Sequence, residues 1–184
     1  MSIESIRNVL PPFARDLKLN LSAVLTTGNE LTPAQRWGAA LAAAVAARNP
    51  ELVAAIEADA ASHLDAAGRD AARSAAAIMA MNNVYYRFTH LVGDADYGQM
   101  PARLRMTVIG NPGVPHLDFE LWSLGVSAIN GCGMCMAAHA RAVTEKGGTK
   151  EAVQAAVRIA AVVNAVAVAL DEARRLEGGL PVAA

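Results

Sequence analysis

The sequence predicts an all-α protein folded as a single helical domain, and three observations carry that prediction. Hydrophobic residues make up 54% of the 184 residues but aromatics only 4%, with alanine far the commonest type, so helices must pack closely through small side chains. Apolar residues fall at helical spacing from the start, as in Ile3, Ile6, Val9 and Leu10. Helix-opening signatures then recur: Thr32-Pro33, Asn49-Pro50, Asp65, Asp118 and Thr149 each offer a side-chain oxygen to the free N–H groups of a first turn, twice with proline next.

Taken in order, residues 2–10 and 13–21 read as two short packing helices parted by Pro11-Pro12, the second with Leu17 and Leu21 on one face. Thr26-Thr27-Gly28-Asn29 reads as a loop. Thr32-Pro33 opens a helix through Arg48, Asn49-Pro50 opens one to about Ala61, and Asp65 caps a long helix reaching Val92, with Gly93-Asp94-Ala95-Asp96 as the break. His63 and His90, near helix ends, are expected as capping or surface residues. Pro101 should begin a short helix with Arg103, Leu104, Arg105 and Met106, followed by a rigid connection over 110–115. Asp118 should cap a helix from Phe119 to about Ile129. After Asn130-Gly131 a further helix stops at Gly147-Gly148, and Thr149 caps the last one, to about Leu176. Its run Ile159 to Leu170, bounded by Arg158 and Asp171, is too short to span a bilayer and is expected as a core or interface helix. Residues 177–184 are expected as a flexible tail.

A weak internal repeat runs through this order at an offset of 85 residues, with Trp37 over Trp122 and Arg73 over Arg158. It divides residues 1–176 into a degenerate copy, about 30–92, and an active copy, about 117–176, each a Trp-bearing helix, a short-turn restart and a long alanine-rich helix. Ala47, Pro50 and Ala54 stand where the second copy has Cys132, Cys135 and His139.

The formal net charge is -1 with no basic run, which gives no electrostatic reason to expect nucleic acid or an anionic membrane as partner. The N-terminal residues carry no apolar export signal, so a cytoplasmic location is expected. In a reducing cytosol a lone cysteine pair is more often catalytic or metal-binding than a structural staple.

Chemistry concentrates in Asn130-Gly131-Cys132-Gly133-Met134-Cys135-Met136-Ala137-Ala138-His139, which holds both cysteines. A Cys-x-x-Cys at a helix start can close a small disulfide, and the helix N-terminus favours thiolate over thiol. His139, four residues after Cys135 and seven after Cys132, shares their helix face and can act as a base. The same three residues could instead be zinc ligands with His116 or Glu120 as the fourth, although no second Cys-x-x-Cys or His pair completes a standard site. The redox reading is preferred. Glu120, on the preceding helix, is the carboxylate to place beside His139, where it would fix the imidazole tautomer; spacing supports equally a solvated charge beside Asp118. Trp122 and Phe119 read as core, and Met134 and Met136 as gap-filling or pocket-lining residues.

Phe119-Glu120-Leu121-Trp122-Ser123 and Ala128-Ile129-Asn130-Gly131-Cys132 through Cys135 and His139 closely resemble the alkylhydroperoxidase D family, within the carboxymuconolactone decarboxylase-like superfamily. The likeness extends to Met81-Asn82-Asn83-Val84-Tyr85-Tyr86-Arg87, Leu104-Arg105-Met106 and Asn111-Pro112-Gly113. The resemblance implies an all-helical homotrimer acting as an antioxidant thiol peroxidase with no tightly bound cofactor. Its electrons would come from dihydrolipoamide or a lipoyl domain, and it could pass them to a partner peroxiredoxin, the alkyl hydroperoxide reductase C subunit. It further implies Cys135 as the cysteine that becomes sulfenic acid, Cys132 as proton donor and resolving thiol in a redox disulfide, and Glu120 with His139 as proton relay. One position departs: the mycobacterial member of the family has histidine directly before the second cysteine, where this chain has Met134. A lipoyl-dependent thiol–disulfide exchange protein without peroxidase activity is the alternative.

Overall fold

The computed structural model describes residues 2–28 and 30–178, and among these it is all-α, with no strand. Helix α1 spans Ile3–Val9, a 3-10 turn Pro12–Ala14, α2 Arg15–Thr26, α3 Pro33–Ala47, α4 Pro50–Ala60 and α5 Ala66–Leu91; then come two single turns, α6 Asp96–Gln99 and α7 Thr107–Gly110, followed by α8 His116–Ile129, α9 Gly133–Glu145 and α10 Lys150–Glu177. Four expected caps form as their side chains dictate. Thr32 accepts from the Gln35 N–H, Asn49 from Leu52, Asp65 from Gly68 and Thr149 from Ala152.

Helices α3 and α8 are enclosed by the rest of the molecule. Residues 38–44 of α3 and 119–127 of α8 are buried without a break, the pattern of a helix covered on all sides. The two pack on each other, α10 and α5 each cover both, and α9 lies against α8 and α5. Small residues permit this closeness: the Trp122 indole occupies the space a side chain at Gly38 would need, and its Nε1–H donates to the Gln35 carbonyl at 3.0 Å. Helices α3, α4 and α5 have 15, 11 and 26 residues, and α8, α9 and α10 have 14, 13 and 28; we read the two runs as copies of one unit.

An 18-residue window of α10 has a mean hydropathy of 1.9, long and apolar enough by composition to cross a membrane. Its apolar side is instead core, with Ile159, Ala160, Val163, Val166, Ala167 and Leu170 buried.

The structure departs from the sequence reading in three places. Helix α2 runs on to Thr26, buries Leu25, and has the Thr26 and Thr27 hydroxyls donating to the carbonyls of Ser22 and Ala23, so it consumes part of the expected loop. No helix forms over 101–106, because Arg103 takes a left-handed φ of 53°; the single turn follows at α7. Helix α8 begins at His116, and Asp118 sits inside its first turn because its carboxylate is engaged by Gln35 Nε2 at 2.8 Å. His63 is exposed, as expected, and stacks on Trp37, ring centroids 5.2 Å apart. Helix α10 extends through Glu177; of the expected tail, residues 179–184 lie outside the described residues.

Candidate active site

The site begins where α8 stops. Gly131 takes a φ of 68°, and the N–H groups of Gly131 and Cys132 return to the carbonyls of Ala128 and Ser127, a left-handed helix stop that favours glycine. A side chain at Gly131 would meet nothing within 4 Å, so backbone conformation alone requires the glycine. Asn83, buried on α5, fastens this turn: its Nδ2 donates to Ser127 Oγ and its Oδ1 accepts from Asn130 Nδ2, both at 2.9 Å. Arg87 adds a bond to the Asn130 carbonyl at 2.5 Å.

Cys132 is the N-cap of α9 and is joined to Cys135 as a disulfide, Cα atoms 5.3 Å apart. Its sulfur accepts the Cys135 N–H at 3.3 Å. When the pair is reduced, that N–H and the helix terminus stabilise negative charge on the Cys132 sulfur. Both residues are buried, Cys132 at 0% and Cys135 at 6% exposure, and they differ in what they face. Cys135 borders a cavity of about 250 Å³ whose walls include His139 and Met134 of α9, Met79, Asn82 and Tyr86 of α5, and Met106 and Ile109 from the connecting segment. Cys132 does not border it. Larger clefts, about 510 and 520 Å³, lie beside Trp37 and His63 and border neither cysteine.

His139 and Glu120 meet as expected: Nδ1 lies 2.6 Å from Glu120 Oε2, with both side chains nearly enclosed. A buried carboxylate needs a proton donor, so Nδ1–H donates to Glu120, and a neutral imidazole then keeps its lone pair on Nε2. That nitrogen is 3.2 Å from Met79 Sδ, a soft acceptor for a proton held there. The arrangement can take a proton at Nε2 and release it again, on the same cavity wall as Cys135.

Met134, between the cysteines, is 40% exposed at the cavity edge; Met136 is half-buried and not among the residues lining it. Trp122 and Phe119 are core, as expected. His116 is exposed at the start of α8, Glu120 is engaged by His139, and no three His, Cys, Asp or Glu side chains among the described residues form a group that could hold a metal ion. Sequence reasoning missed the α5 contribution of Met79, Asn82, Asn83 and Arg87. Its signal was a pair of asparagines in an alanine-rich helix, three and four residues after Met79.

Residues 95–176 match the model of the carboxymuconolactone decarboxylase family. Over nearly its whole length the chain is similar to proteins named alkyl hydroperoxide reductase AhpD. It is 61% identical to that of Rhodospirillum centenum, over 97% of this chain and 95% of that protein. It is 54% identical to that of Bradyrhizobium sp. strain BTAi1, over 94% and 95%, and 51% identical to that of Beijerinckia indica subsp. indica, over 100% and 99%.

Proposed function

The chain belongs to the alkyl hydroperoxide reductase AhpD family, and we propose that it is a thiol peroxidase in which Cys135 reduces hydroperoxides, Cys132 resolves the product, and a dihydrolipoyl group restores the pair. The observation that carries this reading is the enclosed Glu120–His139 pair, whose His139 lines the cavity that Cys135 also borders. A redox pair serving only as a staple has no use for a buried proton carrier beside its accessible sulfur.

In the reduced protein the Cys135 thiol gives its proton to His139 Nε2, directly or through water, and the imidazolium is held by Glu120. The thiolate attacks the terminal peroxide oxygen. An S–O bond forms, the O–O bond breaks, and the departing alkoxide takes the proton from His139, leaving an alcohol and a Cys135 sulfenic acid. The Cys132 sulfur then displaces that hydroxyl as water and closes the disulfide. A dithiol reductant reopens it through a mixed disulfide, oxidising itself to a cyclic disulfide.

The donor we propose is dihydrolipoamide or a lipoyl domain, with no tightly bound cofactor, and a partner peroxiredoxin, alkyl hydroperoxide reductase C, as a further electron acceptor. A cytoplasmic location and a homotrimer complete the proposal. Exposed Val84, Phe88 and Leu91, spaced four and three residues apart on α5, support the trimer by offering an apolar stripe for a second copy.

The test is peroxide-dependent oxidation of dihydrolipoamide by the wild-type chain beside Cys135→Ser and Cys132→Ser. Turnover lost in both variants supports the reading. Reduction of the disulfide by dihydrolipoamide without reoxidation by peroxide would favour a thiol–disulfide exchange protein.

A further inference from the structure

A thioether beside a peroxide is itself at risk, because hydroperoxides convert methionine to its sulfoxide. Three methionines nonetheless border the cavity that Cys135 and His139 line: Met79, Met106 and Met134. Their surroundings differ. Met79 is 1% exposed and its sulfur is engaged by His139 Nε2 at 3.2 Å. Met106 is half-buried, and its sulfur accepts from the Tyr86 hydroxyl at 3.9 Å. Met134 is 40% exposed at the cavity edge, between the two cysteines. Among the described residues one other methionine is exposed: Met100, at 56%, which does not line this cavity. The two exposed thioethers therefore separate exposure from position. They share one chemistry, and only Met134 stands where a hydroperoxide would be held.

We infer that Met134 is a modification site: in the disulfide form of the protein a hydroperoxide, R–O–O–H, held in the cavity transfers its terminal oxygen to the Met134 sulfur, and the sulfoxide slows later turnover. This rests on the thiol-peroxidase reading and adds a brake to the same site. While Cys135 is a thiolate it is the stronger nucleophile and takes the peroxide first. Once it is joined to Cys132 that nucleophile is gone, and Met134 is the exposed reductant left at the cavity edge. A lone pair of its sulfur attacks the terminal oxygen; the S–O bond forms, the O–O bond breaks, sulfur is oxidised and the peroxide reduced. The proton of the transferred oxygen passes to the departing alkoxide, directly or through water, giving an alcohol and methionine sulfoxide. A soft apolar side chain has then become a dipolar one at the entrance to a cavity walled by Met79, Tyr86 and Ile109, where an apolar R group must lose contacts. The mark accumulates when peroxide outruns the dithiol that reopens the disulfide.

The experiment incubates the oxidised wild-type protein with tert-butyl hydroperoxide and follows sulfoxide formation at each methionine by peptide mass mapping. Met100 is the internal reference, being the more exposed of the two. Met134 should be oxidised about tenfold faster or more, a small part of what holding two reactants together can give. After the peroxide is removed, kcat/KM for tert-butyl hydroperoxide with dihydrolipoamide as donor should have fallen about tenfold, the effect of one polar group set against an apolar ligand. Methionine sulfoxide reductase should restore it. Met134→Leu, of similar volume, should keep its own untreated rate after the same exposure. The mapping uses the wild-type chain and so stands whether or not that variant folds. Met134 oxidised no faster than Met100, or oxidised fast with peroxide kcat/KM intact, would overturn the inference while leaving the thiol peroxidase standing. Absence of peroxide turnover in the untreated wild-type chain would overturn both.

Discussion

Replacing Glu120 by glutamine separates the charge of the relay from its shape. Glutamine is nearly isosteric and its amide oxygen can still accept the His139 Nδ1–H, so the tautomer and the packing survive while the negative charge goes. The contact is 2.6 Å and both side chains are almost enclosed, so screening by water is limited. With charge centres about 4 Å apart and an effective dielectric of about 20, the carboxylate stabilises an imidazolium by on the order of 4 kcal/mol. Recovery of part of this through reorganisation leaves a loss of about 100- to 1000-fold, within the range of general acid–base catalysis. The assay mixes pre-reduced protein with hydroperoxide and follows thiol loss in a single turnover, alongside thermal melting. Glu120→Gln should be slow but stable, since it no longer buries a charge. His139→Ala should be slow and unstable, because Glu120 is left buried without a partner, at about 3–5 kcal/mol, or about 6–20 °C in melting temperature for a chain of this size. The double variant should recover much of that loss. A folded Glu120→Gln protein reacting within threefold of wild type would refute the relay.

Three further predictions follow from the same geometry. In Gly38→Ala the new methyl would overlap the Trp122 indole, and overpacking of about 1–3 kcal/mol plus loss of the Gln35 bond should outweigh the roughly 1 kcal/mol helix preference of alanine; a melting temperature at or above wild type would contradict this packing. Burial holds the Asp118 carboxyl above its ordinary value of 3.8, opposed by the hydrogen bond from Gln35. The folded state therefore binds more protons than the unfolded one in the window above 3.8, and wild-type stability falls as pH rises through it. Denaturant unfolding should show Asp118→Asn gaining on wild type between that pH and neutrality, and a flat or shrinking difference would contradict it. Met134→His adds a proton carrier at the cavity edge and should speed the reaction of Cys135 with peroxide; unchanged thiol titration and turnover would count against a role for that position.

What was legible in the sequence was local. Thr32, Asn49, Asp65 and Thr149 act on N–H groups three residues away, so their helix starts could be read directly. The thiols and His139 lie within one helical stretch, and Glu120 reaches them because Gly131 folds α9 back beside α8. What escaped was non-local. Asp118 looked like a cap until Gln35, 83 residues earlier, claimed its carboxylate. The α5 wall of the cavity lies about fifty residues before the cysteines, and nothing in its spacing distinguishes an asparagine that fastens a turn from one that lines the cavity.

In the proposed cycle, the unequal surroundings of the two sulfurs would set the order of events. Cys132 is wholly enclosed and only Cys135 reaches the cavity, so oxidant and reductant must visit one atom through one doorway. Attack by a reductant at Cys135 expels the Cys132 sulfur, the better leaving group because the Cys135 N–H and the start of α9 receive its charge. The two reactants cannot be present together. We therefore expect ping-pong turnover: double-reciprocal plots should run parallel, and an excess of either reactant should slow the other by standing in the doorway.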